Sequence, residues 1–104
     1  MTLKTRQDKD IRGGGVTKDI ATFSIGPRNL LKATAALRKL LKQNEQCYGN
    51  VGCGHSWLEI NGSRVFFGSL RKLEYADTDP RYEMTRTQKA NDLLADVLAG
   101  YYNE

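Results

Sequence analysis

The chain is poor in the residues that most often carry chemistry: its 104 positions hold one histidine, two cysteines, one tryptophan and two prolines. A single histidine leaves no second imidazole to divide acid and base roles, which removes catalytic sites built on histidine pairs. Two cysteines cannot make a disulfide framework, and in a reducing compartment they read as free thiols. No apolar run approaches the length of about 20 residues needed to cross a bilayer. The opening MTLKTRQDKDIRGGG also lacks the apolar segment of a secretory leader. These absences predict a soluble, cytoplasmic protein with no membrane partner. A chain of this length predicts one domain with one modest core, burying roughly 60 to 70% of the unfolded surface.

What is present is positive charge, unevenly spread. The formal net charge is +4, made of +3 in residues 1–18, +3 in 19–46, +1 in 47–76 and −3 in 77–104. A basic front and an acidic back suit an anionic partner, and they leave a homodimer possible through the oppositely charged segments.

Residues 1–18 are polar, charged and interrupted by Gly13-Gly14-Gly15, so they read as a flexible basic arm, with a single α+β domain over 19–104. The stretch IATFSIG alternates with period two and predicts a strand closed by Gly26-Pro27. From Arg28 to about Asn44 the period becomes helical, with Leu30, Ala33, Leu37, Leu40 and Leu41 in one stripe and Pro27 at the entrance, where its missing N–H does no harm. The opposite side is basic without acids: Arg28, Lys32, Lys39 and Lys42 near one line, and Arg38 beside them.

The most legible segment is HSWLEINGSRVFFGS, residues 55–69. Asn61-Gly62 is the favoured pair for a type I′ turn, because both central residues need positive φ. A two-residue loop then sets Ile60 opposite Ser63, Glu59 opposite Arg64, Leu58 opposite Val65, Trp57 opposite Phe66 and Ser56 opposite Phe67. One face carries Leu58, Ile60, Val65 and Phe67; the other carries His55, Trp57, Glu59, Arg64 and Phe66, an aromatic pair and an ion pair around the only histidine. LRKLEYAD, residues 70–77, alternates and reads as a further strand. Asp79-Pro80 offers a helix start, Thr85 and Gln88 a second capping pair, and Ala90, Leu93, Leu94, Val97, Leu98 and Tyr101 an apolar helix face. The expected architecture is α+β: an antiparallel sheet of three to four strands with two helices, in the order β-α-β-β-(β)-α.

The motifs that suggest chemistry are incomplete. Cys47-x5-Cys53-x-His55 supplies three ligands of the kind zinc prefers, but at a spacing unlike the close cysteine pairs of structural sites. Cys53 with His55 lacks the orienting group of a nucleophilic site. GNVGCGHS has no Gly-Lys-Ser/Thr ending and leads into a strand, so no helix start points at a phosphate, and its Gly49-Asn50-Val51-Gly52 resembles the GXXG of KH domains only in those four residues. The order helix, strand, strand, strand, helix from Arg28 resembles that of double-stranded-RNA-binding domains. The last helix, RTQKANDLLADVL, offers Arg86 and Lys89 without the paired lysines of that family, so the resemblance ends at topology. The expectation is therefore no enzyme, no cofactor and no metal.

Two surfaces remain. The helix row Arg28, Lys32, Arg38, Lys39 and Lys42, together with Arg64, is suited to phosphates, and Trp57 or Phe66, flanked by His55, to base stacking. The first-ranked function is a small nucleic-acid-associated binding module. The alternative is a protein-binding inhibitor or adaptor, a phage- or plasmid-type accessory protein that occupies an acidic or nucleic-acid-binding site on an intracellular host protein. Both readings of the aromatic face need an outward, accessible Trp57.

Overall fold

The computed structural model describes residues 1–7, 16–45, 54–71, 73 and 85–101. Strands β1 (Thr2–Gln7) and β2 (Val16–Thr22) precede helix α1 (Pro27–Glu45). Strands β3 (Gly54–Ile60) and β4 (Ser63–Val65) follow, then a short helix α2 (Phe67–Leu70) and helix α3 (Arg86–Leu98). The four strands form one antiparallel sheet in the order β2-β1-β3-β4, so two antiparallel strand pairs lie side by side and join through β1 and β3.

The α+β class and the antiparallel sheet hold, but the strands are not all where the sequence pattern suggests. Residues 2–7 were expected to be a flexible arm; they are instead a central strand, hydrogen-bonded to β2 on one side and β3 on the other. Its single apolar residue, Leu3, is 1% exposed and stands between Ala21 and Leu58. Burying one leucine is worth about 1.5–3 kcal/mol, and ladders on both sides pair the backbone, so the strand is held by partners from other segments and not by its own composition. Met1 follows the same course: its amino group donates to the Phe23 carbonyl at 2.7 Å, and the Phe23 N–H returns a bond to the Met1 carbonyl at 2.7 Å. The expected strand IATFSIG is accordingly shifted back to Val16–Thr22. Gly13-Gly14-Gly15 lies outside the described residues.

The hairpin turn has the anticipated geometry, with φ of 51° at Asn61 and 79° at Gly62. Its register is also as expected for Leu58 with Val65, Glu59 with Arg64 and Ile60 with Ser63. β4 then stops. Phe66 caps α2 in an extended conformation and Phe67 begins the helix, so the pairings of Trp57 with Phe66 and Ser56 with Phe67 do not form. Leu70 and Leu73 are buried in the core rather than placed in a further strand, and most of the remaining LRKLEYAD segment lies outside the described residues, as does Asp79-Pro80.

The described helices share one side of the sheet. Leu3, Leu58, Ile60 and Val65 meet Leu30, Ala33 and Leu37 of α1 and Ala90, Leu93, Leu94 and Val97 of α3 in one cluster. Thr34 is buried beside them, its hydroxyl satisfied by donating to the Leu30 carbonyl at 2.7 Å. α3 opens with the capping box read from the sequence: the Gln88 N–H donates to the Thr85 hydroxyl at 3.2 Å, and the Thr85 N–H donates to Gln88 Oε1 at 2.7 Å. It closes in a Schellman arrangement, with Gly100 at φ 91° and the Tyr101 N–H reaching the Asp96 carbonyl at 3.0 Å. The apolar face consequently ends at Val97. Leu98 is 45% and Tyr101 79% exposed, which corrects their assignment to the core face.

Because β1 is the joint between the two strand pairs, Leu3→Ala is expected to lower unfolding free energy by about 2–5 kcal/mol in urea titrations. Val16→Ala, at an exposed position on the rim, should change it by less than about 0.5 kcal/mol. Equal stability of both variants and wild type would restore the flexible-arm reading.

Candidate functional site

Alternation along the strands gives the sheet a second face, opposite the helices, formed by Lys4 and Arg6 of β1, Asp19 of β2, His55, Trp57 and Glu59 of β3 and Arg64 of β4. A bulge shapes its charge. The register shifts between Leu3 and Lys4, so that Ala21 pairs with Leu3, Asp19 pairs with Lys4, and Ile20 is the extra residue between them. That step turns Asp19 to the side of Lys4 and leaves Ile20 at the rim, 45% exposed.

Lys4 then bridges three strands, its ammonium 3.6 Å from Asp19 and 3.2 Å from Glu59. The Glu59–Arg64 ion pair expected across the hairpin gives way to this arrangement, for a reason the hairpin alone could not reveal: a cation from β1 lies between β2 and β3. Arg64 turns to the indole of Trp57 instead, its guanidinium carbon 4.3 Å from the ring centroid.

Trp57 is on the face that the alternation assigned, but it is not accessible. The residue is 2% exposed, and its indole N–H is shielded and makes no hydrogen bond. The stacking or docking platform expected at Trp57 is therefore overturned. Phe66 does not replace it, being half-buried at the start of α2. His55 is exposed, opposite Arg6 on β1. Cys47 and Cys53 lie outside the described residues, among which no group of three or more His, Cys, Asp or Glu is placed to hold a metal ion.

The basic row of α1 is on the other side of the molecule. At about 100° per residue, positions 28, 32, 35, 39 and 42 fall within a sector of about 80°, opposite Leu30, Ala33 and Leu37. All five residues, Arg28, Lys32, Ala35, Lys39 and Lys42, are exposed. None of the four cations forms an ion pair with an acidic group among the described residues. Arg38 does not belong to this row: it is half-buried, with its guanidinium 5.9 Å from the Phe67 ring centroid, and so contributes to the packing of α1 against α2.

The nine residues singled out from sequence thus separate into two groups that the fold does not bring together. Arg28, Lys32, Lys39 and Lys42 line the outer surface of the helical layer; His55, Trp57 and Arg64 lie on the sheet face opposite α1 and α3; Arg38 and Phe66 are in neither. From sequence, Lys4 and Arg6 count among the arm's basic residues, as aids to anion contact; the ion pairs of Lys4 with Asp19 and Glu59 depend on the central position of β1 and are not legible there. Ala35 is passed over in that reading, its interest lying in being a small residue inside a basic row.

Compared with family models, curated proteins and solved structures, the chain gives no match. No helix among the described residues is long and apolar enough to cross a membrane.

Two measurements check this geometry. The Lys4 ammonium is held above its ordinary pKa, chiefly by the hydrogen bond to Glu59, with partial desolvation opposing and the Asp19 and Glu59 charges assisting. A raised folded-state pKa means that the stabilisation from Lys4 is fully present below about pH 10.4, the unfolded value, and fades as pH rises through the folded value. The melting-temperature gap between wild type and Lys4→Met is therefore expected to be constant near neutrality and to narrow above about pH 10; a gap independent of pH would show that the charge of Lys4 is idle. In the folded protein, acrylamide should quench Trp57 emission far less than in urea, and equal quenching in both states would contradict a buried ring.

Proposed function

We propose that the protein is a nucleic-acid-binding module that uses the outer face of α1. The observation that carries this reading is the exposed, unopposed row Arg28, Lys32, Lys39 and Lys42. Helix stability alone does not account for it. Neighbouring like charges three or four residues apart cost a few tenths of a kcal/mol each, and a cation in the first turn opposes the helix dipole. Arg28 stands there, and α1 has no acidic residue in that turn. A face that exists only to be wetted gains more from alternating signs and an acidic start. An anionic ligand turns the same repulsion into binding energy, because each phosphate neutralised releases condensed counterions.

This reading dispenses with the aromatic platform. Trp57 is buried and Arg64 is engaged with its ring, so binding is assigned to the helical layer alone. The module acts by association, and no catalytic role is proposed for His55.

The test is binding of a labelled, arbitrary oligonucleotide as salt is raised. Neutralising about 3–4 phosphates predicts a slope of about −2.7 to −3.6 in log affinity against log salt for duplex DNA. The triple variant Lys32→Gln, Lys39→Gln, Lys42→Gln should bind at least tenfold more weakly while melting close to the wild-type temperature, since relieved repulsion within α1 offsets the lost interaction of Lys42 with the C-terminal end of the helix dipole. Absence of binding at low salt, or full affinity in the triple variant, would remove nucleic acid as the ligand of this face.

A further inference from the structure

The row on α1 is not evenly spaced. Rising about 1.5 Å per residue, Arg28 and Lys32 are about 6 Å apart along the axis, Lys39 and Lys42 about 4.5 Å, and the interval from Lys32 to Lys39 is about 10.5 Å. Ala35, exposed and with almost no side chain, occupies the middle of that interval. The arrangement is a cation pair, a low gap and a second cation pair, over about 21 Å in all.

From this spacing we infer that α1 lies across the major groove of duplex DNA, with Arg28 and Lys32 on one phosphate backbone and Lys39 and Lys42 on the other. The inference rests on the nucleic-acid reading above and specifies its ligand. The major groove of B-form DNA is about 12 Å wide, which falls between the inner and outer separations of the two pairs, whereas the minor groove, at about 6 Å, is narrower than the gap. In an A-form RNA duplex the major groove is deep and narrow, so the same pairs do not straddle it; its wide minor groove is shallow, which makes an RNA duplex the competing ligand that the test must include.

Two further observations point the same way. Single strands are held by stacking on aromatic rings as well as by charge. The row contains no aromatic residue, and Trp57 is both buried and on the opposite side of the sheet. The cations are also mounted on one continuous helix of 19 residues. Their spacing is fixed, which matches a ligand whose phosphates are themselves regularly placed. Base reading is not part of the proposal: the position between the two pairs is an alanine, which has no hydrogen-bonding group to offer a base edge, so affinity should vary little with sequence.

The decisive variant moves one charge without changing their number. Ala35→Lys with Lys42→Ala closes the central gap and leaves four evenly distributed cations, and both positions are exposed, so the fold can be verified by circular dichroism and by Trp57 emission. Binding is read by fluorescence anisotropy with a DNA duplex, one of its strands alone, and an RNA duplex of the same length, at one salt concentration. Wild type should prefer the DNA duplex over both other probes by at least fivefold, and the double variant should lose at least fivefold in DNA-duplex affinity. Equal or tighter binding of the single strand or the RNA duplex, or an unchanged DNA affinity in the double variant, overturns the groove-spanning geometry while leaving nucleic-acid binding in place. Failure of wild type to bind any of the three probes removes both.

Discussion

The six-residue pairing of β1 with β3 is the constraint on which this structure depends. It joins a strand pair at the start of the chain to a hairpin beginning some fifty residues later, and it does so with little apolar material: Leu3 against Leu58 on the helix side, and Lys4 against Trp57 on the other. Every layer follows from that contact. It makes a four-stranded sheet from two pairs that would each be marginal alone, and it gives α1 a floor wide enough to bury Leu30 and Leu37. Through the bulge at Ile20 it also brings Asp19 and Glu59 to either side of one lysine.

The same contact divides the molecule electrostatically. On the sheet face opposite α1 and α3, Lys4 lies close to Asp19 and Glu59, and the one arginine of the hairpin lies on an indole. On the outer helix face, like charges stand in a line with no acidic partner among the described residues. Matched charges in contact with each other contribute modestly to stability and have little left for a ligand; unmatched ones cost a little stability and keep their full field. This contrast is why the functional reading moves to α1.

Much of this was legible in the sequence because it is local. The Asn61-Gly62 turn, the amphipathic period of α1 and the Thr85–Gln88 cap each depend on residues within one or two turns of chain, where composition and geometry are tightly linked. β1 was not legible, because TLKTRQ has one apolar residue and its strand character comes from partners contributed by other segments. β4 misled in the opposite direction: Val65, Phe66 and Phe67 look like a strand, yet Phe67 turns into α2 and leaves Trp57 without its expected neighbour. The candidate site was half legible for the same reason. A row on a helix can be read from spacing alone, whereas the accessibility of Trp57 depends on what the rest of the chain lays over it.

The bulge that turns Asp19 toward Lys4 also bears on the outer boundary of the sheet. β2 occupies one rim, and its extra residue at Ile20 throws its backbone out of step with any straight strand laid beside it. The opposite rim, β4, is only three residues long. A sheet with one rim kinked and the other too brief to template a neighbour resists edge-to-edge pairing with a second copy, the first step of growth into fibres.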